Sequence, residues 1–288
     1  MVFTVKRSNP QTFGAAVHKY GLIRLVDLAL DSFSSRLREK FYTKAIGDYG
    51  LFEAVMFPRA IDYYTRYRDV VDLVQEHIAK GSLILAVGAG MRGGLSFFLQ
   101  SDGLIQLDRR SYPRKPWFGQ IVIADGCRLP FKNGSIDLVV AVATLEHVPT
   151  SLRSSFLQET KRVGKSVILH FPCQDKDKRY FGRTSDILFQ AANESILREK
   201  DERTAEHIAS IHPSVKQITT ELPGSKIVGR KNCSVWLTYM TFSRRPIIGF
   251  LAGLLYLTLW KPLDNKPPFY ECLVEYSANG SGQDHPEK

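Results

Sequence analysis

The sequence predicts an α/β protein built on a doubly wound parallel sheet. Two observations carry this. Between residues 83 and 172, apolar runs of roughly four to seven residues alternate with segments of helical period. Each of the first four runs also leads to a small or acidic residue, and the first passes directly into a glycine-rich turn. Parallel strands are covered on both faces, so they read as unbroken apolar runs, and they deliver functional groups at their carboxyl ends.

The elements follow in order. The first eighty residues read as helical. Leu22, Leu25, Leu28, Ala29, Phe33, Leu37 and Phe41 recur at three- and four-residue spacing, the mark of an amphipathic helix. A break follows at Gly47-Asp48-Tyr49-Gly50, and a second helix spans residues 60–79, closed by Lys80-Gly81. Its aromatics Tyr63, Tyr64 and Tyr67 suit core packing against the sheet. The first strand is Leu83-Ile84-Leu85-Ala86-Val87, and a helix opens near Gly93 with Leu95, Phe97, Phe98 and Leu99. Strands come next at 104–107, 121–124 and 136–142. A helix over 151–162 carries Leu152, Phe156 and Leu157, and a fifth strand, 166–171, stops at Pro172.

Beyond Cys173 the alternation loosens. Residues 174–180 form a charged loop, and 187–208 is polar and reads as helical, an insertion beside the strand ends. Residues 213–220 suit a helix. A strand is expected at 225–228 or at 234–240, and a final one at 269–276 after Pro267-Pro268. The domain organisation is therefore a helical extension or lid over 1–80, a sheet domain over 81–278 with insertions at about 174–210 and 243–266, and a flexible tail over 279–288.

Lys and Arg outnumber Asp and Glu by 39 to 29, a net charge of +10. This balance points to anionic small molecules or an anionic membrane surface. Nucleic acid ranks last, because the basic residues are scattered and form no RNA- or DNA-binding module. The cysteines Cys127, Cys173, Cys233 and Cys272 contain no CxxC pair, so no zinc site is expected and reduced thiols in a cytoplasmic protein are. Residues 246–260, PIIGFLAGLLYLTLW, are the most hydrophobic stretch, with Arg244, Arg245 and Lys261 at its ends. A membrane span needs about 20 apolar residues, more than this stretch has. A buried helix and an interfacial helix with its cations on lipid headgroups both fit it, with a true span as the third reading.

Gly88-Ala89-Gly90-Met91-Arg92-Gly93 matches G-x-G-x-x-G. Alone, the match says only that backbone approaches a ligand closely. The downstream residues narrow it. Ala124-Asp125-Gly126-Cys127-Arg128-Leu129-Pro130-Phe131 is followed by Asn133-Gly134-Ser135-Ile136-Asp137-Leu138-Val139-Val140 and then by Thr144-Leu145-Glu146-His147. This order resembles the class I S-adenosylmethionine-dependent methyltransferases, in particular the branch that runs Asp, Leu-Pro-Phe, Ser-Phe-Asp-x-Val and Leu-Glu-His. The resemblance covers about residues 60–172. It implies a Rossmann-like seven-stranded sheet whose last strand is antiparallel, with 269–276 as that strand.

It also implies S-adenosyl-L-methionine as cofactor and a set of residues to hold it. Gly88, Ala89 and Gly90 would pass beneath the methionine portion. Asp108 would accept from the ribose hydroxyls, and Arg109 would lie over adenine. Asp125 would accept from the adenine amine, with the amides of Gly126 and Cys127 near a ring nitrogen, and Thr144 would stand where the fourth strand closes over the ligand. Two positions depart from the family pattern: Ala86 stands where an acid is usual, and Arg92 where a third glycine is common.

For the chemistry, His147 and His170 are the acid-base candidates because an imidazole titrates near neutrality, and Glu146 can orient His147 or bind a hydroxyl. The resulting expectation is O-methylation of a small or lipid-linked acceptor, a saccharide or a quinone-like lipid, by a cytoplasmic protein with peripheral contact at the inner membrane face. Two alternatives stay open at this point: a nicotinamide-dependent oxidoreductase, and a scaffold that keeps the sheet without the ligand.

Overall fold

The computed structural model describes residues 61–90, 94–99, 101–111, 119–198, 200–243 and 246–278. The predicted helix around 22–41, Met91-Arg92-Gly93 of the glycine loop, the cations Arg244 and Arg245, and the tail at 279–288 lie outside the described residues.

A helix, α1 (Ile61–His77), precedes the sheet. Four parallel strands follow, β1 (Ile84–Val87), β2 (Leu104–Asp108), β3 (Gln120–Ile123) and β4 (Ile136–Val142). Helix α2 (Arg153–Val163) leads into β5 (Gly164–Pro172). Two short strands, β6 (Gln174–Asp175) and β7 (Tyr180–Phe181), form a hairpin, followed by helices α3 (Gly182–Ala192), α4 (Glu202–Ala209) and α5 (Val215–Glu221). Strand β8 (Lys226–Asn232), helices α6 (Cys233–Phe242) and α7 (Pro246–Leu255), and β9 (Phe269–Ser277) complete the chain.

The strand order is β3-β2-β1-β4-β5-β9-β7-β6, with β8 also paired to β9. Strands β1 to β5 pair in parallel, and β9 runs antiparallel to both β5 and β8. Seven longer strands with an antiparallel last one match the expectation. The nine strands assigned among the described residues include the two-residue strands β6 and β7, which the charged loop gave no reason to expect.

Side-chain parity divides the core. Ile84 and Ala86, Leu138 and Val140, and Ile168 face α1 and its Val70, Val71 and Val74. Leu85 and Val87, Val139 and Ala141, and Val167 and Leu169 face the opposite layer with Phe156 and Leu157 of α2. Successive strand residues point to opposite faces, so one apolar run serves two helical layers. Helix α1 is thus built onto the sheet, and Tyr67 is buried among its contacts.

Its amino end is fastened by charge. Arg66 reaches Asp62 at 2.9 Å and Glu271 at 2.9 Å, and Lys231 reaches Asp62 at 2.6 Å and Glu271 at 3.2 Å. The indole of Trp236 donates to Asp62 at 3.2 Å. Burial opposes the Asp62 charge, but Arg66 and Lys231 overcome it and hold the carboxyl well below its usual range. Glu271 lies deeper, and there burial wins and raises its carboxyl despite the same two cations.

One expected element changes identity. Residues 234–240, offered as one choice of strand, belong to helix α6. Asn232 explains this: its side chain accepts from the amides of Ser234 and Val235 and caps the helix, leaving 226–232 as the strand. The stretch 246–260 forms α7 and a following π-helical turn. Ala252 and Tyr256 pack on Val235 and Tyr239, while Ile248, Leu251, Leu254, Leu255 and Leu259 are 41–64% exposed. No helix among the described residues is long and apolar enough to cross a membrane.

Candidate functional site

The carboxyl ends of β3, β2, β1 and β4 lie side by side, because Val87 pairs with Leu107, Ala86 with Val140 and Asp108 with Ile123. At the end of β1 the backbone turns through Gly88 and Gly90, at φ +71° and +70°. A side chain at Gly88 would also strike Thr144 at 2.4 Å, whereas nothing lies within 4 Å of the space beside Gly90. Glycine is required at the first position by contact and conformation together, and at the second by conformation. Thr144 closes the neighbouring strand, where its hydroxyl lies 3.2 Å from the Val87 carbonyl and 3.1 Å from that of Val142. The amides of Gly88 and Ala89 both donate to the Leu107 carbonyl, at 2.8 and 3.1 Å.

Asp108 ends β2 under this loop. One of its oxygens accepts from the Gly90 amide at 3.0 Å and the other from the Arg110 amide at 2.9 Å. A carboxylate has about four acceptor sites, so capacity remains on both oxygens. Arg109 is exposed beside it. Asp125 lies beyond β3 with one oxygen accepting from the Cys127 amide at 2.9 Å. Gly126 packs so tightly that a Cβ there would meet Phe156 at 2.8 Å. Burial and then Asp125 push the Cys127 thiol up to about 11, which keeps it protonated and a poor nucleophile.

Beyond β4, a short 3-10 turn carries Glu146 and His147. Glu146 is 1% exposed, and neither of its carboxylate oxygens has a hydrogen-bond partner among the described residues. Buried Arg153 holds the turn from α2, donating to the carbonyls of Val148 at 3.0 Å and Glu146 at 3.4 Å. The His147 ring tilts against His207 of α4, with centroids 4.9 Å apart and the two Nε2 atoms 3.3 Å apart. Partial burial lowers the His147 pKa, against the pull of Glu146.

His207 also contacts Asp186 of α3, Nδ1 to Oδ2, at 3.3 Å. His212 Nε2 lies 3.0 Å from the same oxygen, and the Tyr270 hydroxyl donates to the other at 2.9 Å. Burial lowers the His207 pKa, but the bond to Asp186 outweighs it and the net shift is upward. The sequence reading missed Asp186, His207 and His212. It placed their segment beside the strand ends, but nothing local in the polar stretch marks which of its residues turn inward.

His170 stands elsewhere. It is 0% exposed and shares the α1 face of β5 with Ile168, near Lys231, Arg66 and Glu271. Burial first, then the Lys231 and Arg66 cations, drive its pKa well below the usual value. The Glu271 carboxylate at 3.7 Å is too far for a hydrogen bond, so the ring is a neutral core group. It pairs with Val142 near the carboxyl ends of the strands, but its side chain is buried on the α1 face and out of reach of solvent.

On the other side of Arg153 lies an open groove of about 640 Å3, lined among others by Arg183, Lys216, Gln217 and His212. It lies along α5 rather than over the glycine turn.

Residues 100–167 match a protein-family model described as a methyltransferase domain. No curated protein matches the chain. Among solved structures, the chain is similar to geranyl diphosphate C-methyltransferase from Streptomyces coelicolor A3(2), crystallised with Mg2+, geranyl diphosphate and S-adenosyl-L-homocysteine. That similarity has 12% identity over 73% of this chain and 78% of the other, with a TM-score of 0.44. For magnesium protoporphyrin IX methyltransferase from Synechocystis PCC 6803 with bound SAH, identity is 14% over 87% of this chain and 98% of the other, at a TM-score of 0.42. For Haemonchus contortus phosphoethanolamine N-methyltransferase 2 in complex with S-adenosyl-L-methionine, it is 12% over 73% and 52%, at 0.41. Residues 100–167 are thus similar to a methyltransferase domain, and the chain builds a Rossmann-like, mostly parallel sheet.

Proposed function

We propose that this protein transfers a methyl group from S-adenosylmethionine to an oxygen of a small or lipid-linked acceptor, a saccharide or quinone-like lipid, near a membrane face. One observation carries the cofactor reading. Gly88, Ala89 and Gly90, Asp108, Asp125 and Thr144 converge from the ends of four neighbouring strands. Backbone without Cβ at the turn suits the methionine portion. The acceptor capacity left on Asp108 suits a ribose diol, and Asp125 with the Gly126 and Cys127 amides suits an adenine edge. Arg109 supplies a cation beside them.

Methyl transfer is an in-line displacement at the sulfonium carbon, so orientation is the protein's main contribution. The cofactor supplies the activated methyl group. Of the three candidates for the chemistry, Glu146 and His147 share the turn that follows β4, which supports a role for them toward the acceptor. Titration calorimetry on the full chain tests the reading: S-adenosylmethionine is expected to bind and NAD is not. Binding of NAD alone, or of neither, overturns it. Release of S-adenosylhomocysteine across glycan, quinone and phenolic acceptors then identifies the acceptor class.

The membrane part rests on α7. Its outward residues Ile248, Leu251, Leu254 and Leu255, with Leu259 of the following turn, form an apolar stripe, and Lys261 follows. Such a stripe with flanking cations suits shallow insertion among anionic headgroups. The protein is expected to sediment with phosphatidylserine-containing vesicles at low salt, and Leu251→Glu with Leu255→Glu to remain in the supernatant. Full recovery of the parent protein in the supernatant removes the membrane from the proposal.

A further inference from the structure

We infer that Glu146, His147 and His207 form a binding site for a divalent transition-metal ion, zinc by the donor set. The sequence reading expected no metal, because the chain contains no CxxC pair. Folding changes this. The ligating atoms of Glu146, His147 and His207 all lie within 4.8 Å of one another.

Three features separate this group from a chance cluster. The first is Glu146. Its carboxylate is buried, and among the described residues nothing hydrogen-bonds either oxygen. A native protein rarely leaves a buried carboxylate unpartnered, and an ion is a standard remedy. The second is the spacing of the imidazoles. Two nitrogens at about 2.0–2.1 Å from a tetrahedral zinc lie about 3.3 Å apart, and the two Nε2 atoms are 3.3 Å apart.

The third is the support behind His207. Its Nδ1 faces Asp186 at 3.3 Å, and Asp186 is itself fixed by the Tyr270 hydroxyl at 2.9 Å and His212 at 3.0 Å. A ligating histidine usually gives its other ring proton to a carboxylate, which sets the tautomer and aims the free nitrogen at the metal. Here that nitrogen is Nε2, and it points at His147. Asp186, His207 and His212 also lie close enough to share an ion. The Asp186 oxygens are already engaged, however, so Asp186 belongs to the supporting layer and Glu146 to the metal.

Two imidazoles and one carboxylate leave a fourth position for water or a substrate atom, as in zinc sites that act on substrates. His147 is exposed and follows β4, so that position opens on the acceptor side of the strand ends. Ligation uses the same Nε2 lone pair that would take up a proton. His147 on this reading holds the metal and is not a general base.

Cobalt is the probe. The full-length protein is freed of metal with a chelator and titrated with Co2+, and the visible d–d absorption of the tetrahedral ion is recorded. One Co2+ per chain is expected, displaced by Zn2+. Glu146→Gln and His207→Ala are each expected to abolish the signal. Asp186→Asn is expected to weaken cobalt binding about 10- to 100-fold. No saturable tetrahedral signal in the parent overturns the site, as does an undiminished signal in either ligand variant or unchanged affinity in Asp186→Asn. Circular dichroism melts of the variants show that they are folded. S-adenosylmethionine binding is measured by calorimetry on the same samples. Cofactor binding without cobalt binding sinks this site alone, and the reverse sinks the cofactor reading alone.

Discussion

Replacing Asp108 by alanine is expected to weaken S-adenosylmethionine binding by about 100-fold. A hydrogen bond to a charged group contributes about 1.5–3 kcal/mol, and each 1.4 kcal/mol is tenfold in affinity. Two ribose hydroxyls on one carboxylate, counted conservatively, lose about 2.7 kcal/mol. The substitution acts on the free protein as well. It releases the Gly90 and Arg110 amides, which Asp108 now holds at 3.0 and 2.9 Å, so the loop loses its preset shape. Asp108→Asn separates the two effects, since an amide oxygen still accepts a bond but carries no charge. Its expected loss is about tenfold. Titration calorimetry reads both variants. If Asp108→Ala costs less than about threefold, roughly 0.7 kcal/mol, the carboxylate does not hold the ribose. The cofactor would then need another anchor.

The proposed cofactor edge was legible because its signals are local. A glycine held at positive φ, or an acid that follows an apolar run, shows in a window of a few residues. Gly88, Gly90, Asp108 and Asp125 all have that form, and parallel pairing then brings them to one edge. The histidine cluster beyond β4 is assembled by tertiary contacts. Asp186 and His207 sit on two helices whose packing places them against a turn that follows β4. No periodicity in 187–208 announces that meeting. His170 shows the opposite failure. Its place near the end of an apolar strand looked like a site position, but strand parity and the later arrival of Lys231 and Glu271 make it core. Residues 246–260 are apolar on every side, so composition does not decide which face is covered. Contact with Val235 and Tyr239 does.

Lys231→Ala is expected to cost about 3–5 kcal/mol of stability, the usual effect of removing one partner from a buried ion pair. For a chain of this size that is a Tm drop on the order of 10 °C. Lys231 is 3% exposed, and it touches both Asp62 and Glu271, so its loss leaves two buried acids to share Arg66. Coulomb attraction decides the sign, because the desolvation of the surviving carboxylates is still present in the variant. Lys231→Met, which keeps the stem and drops the charge, separates lost packing from lost charge.

The acid dependence gives a second, independent reading. The folded state holds Asp62 below its usual pKa, so that contribution is complete above the unfolded carboxylate value and fades as pH falls toward the folded one. His170 is also held low, so the parent loses stability as pH drops below about 6.5, where the unfolded imidazole takes up a proton and the folded one resists. Lys231 contributes to both depressions. Removing it lets both groups protonate more easily in the folded protein. The stability gap between parent and Lys231→Ala is therefore expected to be widest above pH 7 and to narrow as the pH is lowered. Denaturant unfolding at several pH values measures it. A gap below about 1 kcal/mol at neutral pH, well under the buried-pair range, or one that widens in acid, would show that this cluster does not fasten α1 to the sheet.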